Sequence, residues 1–333
     1  MNKNACILVT GGTGSFGRRF VDMTLKKFDP RRIIIYSRDE MKQWEMKESL
    51  LGDRRLVFKI GDVRDKERLN QALIDVDYVV HAAATKIVPT AEYNPGECVK
   101  TNIIGAMNLI DTAISRKVKK VVALSTDKAC NPVNLYGATK LASDKLFIAA
   151  NAVSENLQTK FSIVRYGNVM GSRGSVIPYF MSLAKGSTIP ITDPRMTRFM
   201  ITLEGAVEVV WLSLQDMIGG EIYVKKIPSM NIMDIAKAVA PDSKVRIIGI
   251  RPGEKIHEQM ISAEDAPYTR SYKGFYKILP MLHDWHEDPG RIKDGVLVSE
   301  GFSYDSGSNL DTMTVATLRN WLMANSQSFS RPL

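Results

Sequence analysis

A glycine-rich turn near the start of the chain constrains the fold more than any other feature. Gly11–Gly17 (GGTGSFG) directly follows the apolar run Ala5–Thr10 and opens a helical stretch from Ser15 to Phe28. The turn fits both Gly-x-Gly-x-x-Gly and Gly-x-x-Gly-x-x-Gly. In this strand–turn–helix context, glycines allow a tight turn and let backbone N–H groups approach a pyrophosphate at the positive end of the helix. We therefore predict a dinucleotide site here rather than a purely structural turn.

Strands and helices alternate through the first half of the chain. Apolar, largely β-branched runs predict strands, and the stretches between them predict helices: strands at Arg32–Ser37, Leu56–Ile60, Asp77–His81, Lys120–Ser125 and Phe161–Asn168, helices at Met41–Leu51, Lys66–Leu73 and Asn102–Ser115. Continuous apolar runs are typical of strands buried on both faces of a parallel sheet. The predicted fold class is α/β, a doubly wound parallel sheet (Rossmann) with a smaller C-terminal substrate lobe.

The second half is less regular, because the spacing of Gly, Pro and Arg changes from about Ser172. We predict a dinucleotide-binding domain over residues 1–171 and a substrate-binding lobe over residues 172–333, which closes over the carboxyl edge of the sheet. Within residues 176–214, Val176–Leu183 and Glu204–Leu214 are candidates to return to the first domain.

The formal net charge of +9 favours an anionic partner. The basic residues come as scattered pairs, such as Arg18-Arg19 and Lys119-Lys120, and form no single tract with interleaved aromatics. This pattern favours a nucleotide-sized anion over nucleic acid.

Three further observations bound the class of protein. The longest charge-free runs, Ala129–Thr139 and Gly174–Ala184, fall well short of the roughly 18 residues of a membrane span, and the start does not resemble a signal peptide. Cys6, Cys98 and Cys130 form neither a disulfide framework nor a metal set, and the four histidines lack metal-like spacing. We expect a cytoplasmic protein with no membrane partner and no metal.

The end of the second strand bears on the choice of cofactor. Ser37 and Arg38 stand at the strand tip, where an acidic residue would bind a ribose 2′-hydroxyl, and Lys42 follows one turn later. This pattern favours the extra phosphate of NADP, although Asp39 keeps NAD open, because a shift of one residue would reverse the preference. Asp62 and Val63 suit the adenine edge.

A tyrosine and a lysine four residues apart form the candidate catalytic pair. Tyr136 and Lys140 share one face at the start of a helix, and Thr126 stands ten residues before the tyrosine, at a strand end. A lysine ammonium and the nicotinamide charge would lower the pKa of the phenol from about 10 towards neutrality, so that it takes a hydroxyl proton during hydride transfer. Thr126 would hold the reacting oxygen.

Together with the glycine turn, these residues resemble the extended short-chain dehydrogenase/reductase superfamily. Four further segments narrow the resemblance to the inverting UDP-N-acetylglucosamine 4,6-dehydratases of pseudaminic acid synthesis: Ser125–Pro132, Arg165–Ser175, Met196–Phe199 and Arg251–Lys255. The resemblance runs from about residue 5 to residue 262. It implies a lyase that keeps its NADP, acts on a UDP-sugar and forms a homo-oligomer.

Asp127 and Lys128 distinguish this group within the superfamily. Sugar 4-epimerases need no extra acid or base there, and C5-retaining dehydratases carry Asp-Glu. The resemblance implies that Lys128 removes the C5 proton and Asp127 protonates the leaving C6 hydroxyl. We expect Lys128 to be partly neutral in a closed, apolar site near Lys140. The alternative is a surface salt bridge between Asp127 and Lys128.

Two sets of ligand contacts are predicted, one for the cofactor and one for the substrate. The resemblance and the glycine turn predict cofactor contacts from Gly11, Thr13, Gly14, Ser15, Phe16, Gly17, Ser37, Arg38, Lys42, Asp62, Val63, Ala82, Ala83, Ala84, Lys86, Tyr136, Lys140 and Val169. The resemblance implies substrate contacts from Lys86, Asn168, Arg173, Arg198, Arg251 and Glu254. Structural salt bridges are the alternative for Arg198 and Arg195, and we assign no chemistry to His81 or His257.

Three residues depart from the pattern of the resembled group: Thr85, Ile87 and Met200. They fall near the expected sugar pocket, so they leave open the C2 substituent and the C5 stereochemistry. A UDP-sugar 4-epimerase or a C5-retaining dehydratase is therefore the alternative function. A non-catalytic NADP-binding regulator is a third, which would not need Tyr136, Lys140 and Asp127-Lys128 together.

Overall fold

β-Strands make up the framework of the computed structural model, which describes residues 4–50, 52–153, 158–183 and 188–325. In chain order they are β1 (Cys6–Thr10), β2 (Arg32–Ser37), β3 (Leu56–Ile60), β4 (Tyr78–His81), β5 (Lys120–Thr126), β6 (Lys160–Tyr166), β7 (Asn168–Val169), β8 (Thr188–Ile191), β9 (Thr197–Ile201), β10 (Ile222–Lys225), β11 (Ser229–Asn231), β12 (Lys244–Ile247), β13 (Gln259–Ile261), β14 (Thr269–Tyr272), β15 (Phe275–Ile278), β16 (Val296–Leu297) and β17 (Tyr304–Asp305).

Helices connect and cover these strands. The α-helices are α1 (Ser15–Lys27), α2 (Glu40–Ser49), α3 (Lys66–Ala72), α4 (Val88–Tyr93), α5 (Pro95–Val99), α6 (Gly105–Ser115), α7 (Leu135–Val153), α8 (Val176–Ser182), α9 (Leu203–Asp216), α10 (Ile232–Val239), α11 (Pro289–Ile292) and α12 (Val315–Ala324). A π-helix covers Lys100–Ile104, and 3₁₀ turns cover Asp127–Ala129, Ala263–Tyr268 and Leu282–Glu287.

The main sheet has ten strands in the order β16-β14-β15-β10-β6-β5-β4-β1-β2-β3. From β3 to β10 every neighbouring pair is parallel, and β15, β14 and β16 then continue the sheet antiparallel. The strand order reverses between β1 and β4, which is the switch point where ligands bind in doubly wound sheets. The predicted fold class is confirmed.

The core lies on both faces of the parallel strands. Every residue of β1 and β4 is buried, and in β2 only Arg32 is exposed. Because both faces are covered by helices, these strands read as continuous apolar runs rather than alternating ones.

Three regions differ from the sequence prediction. The helix expected from Asn102 starts at Gly105 and is preceded by a π-helix and two short helices, α4 and α5, which were not predicted. The strand expected over Phe161–Asn168 divides at Gly167, because β7 leaves the main sheet and pairs with β9. The predicted helix Met41–Leu51 ends at Ser49 as α2, and Leu51 lies outside the described residues.

The second half of the chain contributes to two cores. Helix α9 packs on α1, β5 and β6 of the main sheet, whereas α8 packs on α10 in a separate apolar cluster with β8 and α12. The domain boundary at residues 171 and 172 stays a prediction. Among the described residues, no helix combines the length and the apolar character that crossing a bilayer requires.

Gly17 sets the distance between helix α1 and the turn after β1. A Cβ at this position would stand 2.4 Å from the carbonyl oxygen of Gly12 and 2.5 Å from its Cα. Both atoms belong to backbone, so the helix itself would have to move away from the sheet.

We therefore expect Gly17→Ala to lower the free energy of unfolding by about 1–3 kcal/mol, the usual effect of overpacking a core. Urea denaturation measures this difference. Gly96→Ala is the matched control, because Gly96 also lies in a helix and its Cβ would meet nothing within 4 Å. Equal stability of Gly17→Ala and the wild type would contradict the packing argument.

Candidate active site

A cavity of about 1010 Å³ lies over the carboxyl edge of the sheet, at the switch point between β1 and β4. All of the predicted cofactor, catalytic and substrate residues line it. They come from the ends of β1, β2, β3, β4, β5 and β6 and from the loops of the second half. Parallel strands bring their carboxyl ends to one edge, which is why residues far apart in sequence meet here.

The amino end of α1 forms one wall of the cavity. Its N-cap residue is Gly14, which offers no side chain to cap the first-turn N–H groups, and the turn carries no acidic residue. Free N–H groups and the positive helix end together favour an anion. These residues fit the pyrophosphate of a dinucleotide.

Two carboxylates restrain the basic residues after β2. Asp39 caps α2 by accepting a hydrogen bond from the Lys42 backbone N–H at 3.0 Å, and it also pairs with Lys42 Nζ at 2.5 Å. Arg38 Nη1 lies 3.8 Å from Asp62 Oδ2, and its side chain remains 65% exposed. Lys42 is paired with Asp39, so Arg38 is the cation at this end of the cavity that is more available to a ligand.

The segment after β4 is held by buried polar contacts. Thr10 Oγ1 lies 2.8 Å from His81 Nδ1 and accepts a hydrogen bond from the Ala83 backbone N–H. Asn102, in the π-helix, accepts from the Thr85 backbone N–H and donates to the Thr85 carbonyl. These contacts fix the path of the small residues against which a cofactor would lie.

The strand-end threonine joins Tyr136 to the Asp127-Lys128 pair. Thr126 lowers the pKa of the Tyr136 phenol, and its Oγ1 donates to Asp127 Oδ1 at 2.9 Å. Lys128 Nζ donates to the same carboxylate oxygen at 3.0 Å. A Cβ at Gly137 would stand 2.2 Å from the Lys128 carbonyl oxygen, so α7 can approach the 3₁₀ turn this closely only with glycine there.

Burial opposes the phenolate form of Tyr136. It raises the pKa of Tyr136 to about 12, against the Lys128 ammonium and the Thr126 hydrogen bond, which lower it. Burial also lowers the pKa of Lys140, although Asp144 partly opposes this. Lys128, which the sequence analysis did not connect with the phenol, therefore lowers the pKa of Tyr136.

The expected neutral form of Lys128 is not what the protein alone favours. Burial by itself lowers the pKa of Lys128, but the carboxylates of Asp127 and Glu258 outweigh it and raise that pKa above its ordinary value. Burial raises the pKa of Asp127, and Glu258 adds to this effect. The reason for the difference is Glu258, whose Oε1 lies 3.0 Å from Lys128 Nζ.

Both members of the pair line the cavity, and Lys128 is the more exposed of the two. The Lys128 side chain is 23% exposed and that of Asp127 only 1%. Asp127 Oδ2 has no hydrogen-bond partner among the described residues. The pair is therefore a buried ion pair in the cavity wall, not a solvated surface salt bridge.

Several of the predicted substrate contacts are hydrogen-bonded to one another or to the glycine turn. Lys86 Nζ donates to the Arg173 carbonyl at 3.1 Å, and the Arg173 backbone N–H donates to Ser15 Oγ at 3.3 Å, so this loop reaches back to the glycine turn. Arg251 Nε pairs with Glu254 Oε1 at 2.9 Å.

Arg198 and Arg195 differ in their surroundings. Arg198 donates to the carbonyls of Thr197, Lys255 and Ile256, which gives it a structural role. It also lines the cavity. Arg195 pairs with Asp193 on the surface, and neither its side chain nor its backbone lines the cavity.

The three departures are not equivalent in space. Ile87 lines the cavity and its side chain is exposed, whereas Met200 is buried in the second core and does not line it. Thr85 is tied through its backbone to Asn102 and is also outside the lining. Only Ile87 is therefore placed to touch a ligand directly.

Comparison with known proteins adds the family. Residues 7–280 match the family described as polysaccharide biosynthesis protein. The chain belongs to this family. It is part of the extended short-chain dehydrogenases/reductases.

Two relatives and two solved structures illustrate the range of this polysaccharide biosynthesis family and its fold. UDP-N-acetylglucosamine 4,6-dehydratase (inverting) of Campylobacter jejuni subsp. jejuni is 56% identical over 310 residues, 91% of this chain and 92% of that protein. UDP-glucose 4-epimerase of Rickettsia akari is 43% identical over 280 residues, 82% of each protein. The X-ray structure of Pen from Bacillus thuringiensis has a TM-score of 0.89 and 34% identity, covering 98% of this chain and 99% of that one.

A more distant structure shares the fold alone. DesIV (dTDP-glucose 4,6-dehydratase) from Streptomyces venezuelae, with NAD and TYD bound, has a TM-score of 0.68 and 24% identity over 75% of this chain and 86% of that one.

Sequence reasoning missed two residues that shape the site. Asn102 offered only a polar residue in an apolar helical segment as a signal. Glu258 offered none, because nothing in the sequence connects it to Lys128, 130 residues earlier. Both act through contacts that the fold creates.

His81 generates a pH prediction. Its side chain is fully buried, and burial lowers the pKa of His81 to about 3, helped by the nearby Lys140 charge. The unfolded chain, with a histidine pKa of about 6.5, therefore binds the proton first, and stability falls as the pH drops from about 6.5 towards 3. We expect His81 to remove about 2 kcal/mol of stability between pH 7 and pH 5. Urea denaturation of His81→Asn should show a correspondingly flatter pH dependence, and a wild-type slope in this variant would contradict the assignment.

Proposed function

We propose that this chain is a UDP-N-acetylglucosamine 4,6-dehydratase that inverts C5 and yields a UDP-2-acetamido-2,6-dideoxy-4-hexulose. The observation that carries the proposal is the position of Lys128, paired with Asp127 in the wall of the cavity that Thr126 and Tyr136 also line. The 56% identical relative named as an inverting dehydratase supports it.

In the first step Tyr136 takes the proton of the sugar 4-hydroxyl, and Thr126 holds the reacting oxygen. A bound nicotinamide dinucleotide supplies the hydride acceptor for C4, a positive charge near the phenol and, at the end, the hydride for C6. Lys140 is buried on the same helix, one turn after Tyr136. Its position suits it to bind the nicotinamide ribose and to orient the phenol.

The C4 ketone acidifies the C5 proton, and water then leaves across C5–C6. The acid and the base for this step arise together if one proton moves from Lys128 Nζ to Asp127 Oδ1, across the 3.0 Å hydrogen bond. Lys128 as a neutral amine takes the C5 proton, and protonated Asp127 supplies a proton to the leaving C6 hydroxyl. The ion pair is then restored, and Tyr136 still holds the proton of the 4-hydroxyl. When hydride adds to C6, the site gives up one proton to C5, so its proton count returns to the starting value at each turnover.

A lysine in place of glutamate carries the proposal of inversion. Inversion requires that C5 be reprotonated on the face opposite the one from which the amine removed the proton, whereas return of the proton to the same face would retain the configuration. C6 accepts the returning hydride and becomes the methyl group of the product, so no net redox change takes place and the reaction is that of a carbon–oxygen lyase.

The remaining roles follow from the cavity lining. Arg251, Arg173 and Lys86 are the candidate contacts to the UDP diphosphate, because arginine forks match paired phosphate oxygens. Glu254 pairs with Arg251, and Asn168 also lines the cavity. The cavity is large enough for both a dinucleotide and a nucleotide sugar.

We further propose a homo-oligomer in the cytoplasm, within pseudaminic acid synthesis. The three cysteines are free and buried, which suits a reducing compartment. The oligomer and the pathway rest on the resemblance to the inverting dehydratases.

A UDP-sugar 4-epimerase is the second candidate, favoured by the 43% identical relative of that name. Incubation with UDP-N-acetylglucosamine in D₂O separates the candidates. The dehydratase gives a 4-keto-6-deoxy product with deuterium at C5, and product NMR reads the C5 configuration directly. A C4 epimer without deuterium would favour the epimerase, retained C5 configuration would favour the retaining dehydratase, and no reaction would favour a regulator.

Lys128→Ala refines this test. We expect substrate still to reduce the bound nicotinamide, whereas water loss falls by about 10²- to 10⁴-fold, the usual contribution of a general base. Absorbance of the reduced nicotinamide and NMR of the product measure the two steps. Wild-type yields of the 4-keto-6-deoxy product from this variant would remove Lys128 from the mechanism.

We propose NADP as the cofactor, since Arg38 is available to a 2′-phosphate while Asp39 is engaged with Lys42. Arg38→Ala should weaken NADP binding roughly ten-fold or more, because hydrogen bonds to charged groups contribute about 1.5–3 kcal/mol, and leave NAD binding unchanged. Calorimetric titration measures both dissociation constants. Arg195→Ala, on the surface outside the cavity, is the control that changes neither. An equal loss for the two cofactors would contradict the assignment.

A further inference from the structure

A second carboxylate contacts the catalytic lysine from the other half of the chain. Glu258 Oε1 lies 3.0 Å from Lys128 Nζ, the same distance as Asp127 Oδ1. The Glu258 side chain is only 3% exposed and belongs to the cavity lining. Lys128 therefore sits between two buried carboxylates.

The backbone around Glu258 is held from both sides. The Glu258 N–H donates to Ser306 Oγ at 2.9 Å, and the Ser306 N–H donates to the Glu258 carbonyl at 2.8 Å. Thr197 Oγ1 hydrogen-bonds both Ser306 Oγ and His257 Nδ1. A carboxylate on such a fixed segment has little freedom to follow the lysine if the lysine moves.

Four groups from separate elements face Lys128 Nζ or its immediate partners. They are Asp127 on the same turn, Glu258 before β13, Tyr136 at the start of α7, and Arg198 on β9, whose Nε lies 3.8 Å from Glu258 Oε1. Lys255 adds a weaker positive influence on Glu258. The cluster thus contains two carboxylates and two close cations.

The two carboxylate oxygens of Glu258 differ in their surroundings. Glu258 Oε2 is buried and has no hydrogen-bond partner among the described residues, and the same holds for Asp127 Oδ2. An unsatisfied buried carboxylate oxygen is costly, so its charge must be offset by the neighbouring cations. For Glu258 these are Lys128 and Arg198.

We infer that Glu258 is a positioning residue whose carboxylate anchors the Lys128 ammonium in the cavity wall and whose charge keeps the protons on the Asp127-Lys128 pair between turnovers. This inference rests on the proposed function. It extends it by naming the group that controls when the lysine becomes a base. Glu258 itself exchanges no proton with the sugar.

The charge of Glu258 acts in the same direction on both members of the pair. It raises the pKa of Asp127, in addition to burial, and it raises the pKa of Lys128, against burial. The two groups share a proton, so the pH profile of water loss reports the pair as a whole. On the acid limb, the rate of water loss rises with pH as the pair loses its second proton. On the alkaline limb, the rate falls as the pair loses the proton that its two members share.

Glu258→Gln removes the charge and keeps the size of the side chain. We expect both limbs of the pH profile for C5 deuterium incorporation to move down by about one pH unit or more, because an opposite or like charge within a few ångströms shifts a pKa by that amount. Substrate should still reduce the bound nicotinamide. A merely structural role would lower the rate at every pH and leave the limbs in place, and that result would overturn the inference.

Glu258→Asp keeps the charge and withdraws it from the ammonium. Here the limbs should stay within a few tenths of a pH unit while the maximal rate falls, because the anchor is shortened. If Glu258→Gln does not fold, Glu258→Asp still tests the inference, since limbs that move in this variant contradict it. Glu221→Gln is the matched control, because Glu221 is 1% exposed and pairs with Arg291 outside the cavity. It should lose stability without moving either limb.

A titration that does not depend on the reaction separates this inference from the proposed function. The ¹³C carboxyl signal of Asp127, assigned with Asp127→Asn, should titrate about one pH unit or more lower in Glu258→Gln than in the wild type. If the wild type incorporates no deuterium at C5, the proposed function fails while this titration still reports on Glu258. An unmoved Asp127 titration overturns the role of Glu258.

Discussion

The contact between helix α1 and the turn after β1 is the constraint on which the rest of the architecture depends. At Gly17 the helix lies against the backbone of Gly12, with no room for a side chain. This contact aims the uncapped amino end of α1 across the carboxyl edge of the sheet. Because β1, β4, β5 and β6 are parallel, the same edge also carries the ends of β4 and β5. The anion site and the acid–base groups consequently share one cavity.

The second constraint is the charge balance among the buried ionisable groups of the site. Asp127, Lys128, Glu258 and Arg198 are all largely buried, and each would be costly to bury alone. As a cluster they compensate one another, and a proton can pass between Lys128 and Asp127 without changing the net charge of the group. A buried cluster of this kind can therefore create an acid and a base at once, without drawing a proton from water. The ketone that hydride removal creates at C4 provides the reason for needing both.

The sequence was informative wherever local pattern decides the structure. Continuous apolar runs predicted the central strands, and the glycine spacing predicted the turn after β1, because both depend on neighbouring residues. Sequence reasoning failed where distant segments meet. The π-helix at Lys100–Ile104 and the pairing of β7 with β9 were not predicted. The charge of Lys128 was misjudged for the same reason, since Glu258 reaches it only through the fold of the second half.

The proposed mechanism depends on where the Lys128 amine points when the sugar is bound. A crystal structure with the dinucleotide and UDP-N-acetylglucosamine bound measures this most directly. We predict that Lys128 Nζ lies about 3–3.5 Å from C5 of the sugar, in line with its C–H bond and still in contact with Asp127. A lysine side chain turned away from the nicotinamide and into solvent, with the sugar in place, would contradict the mechanism.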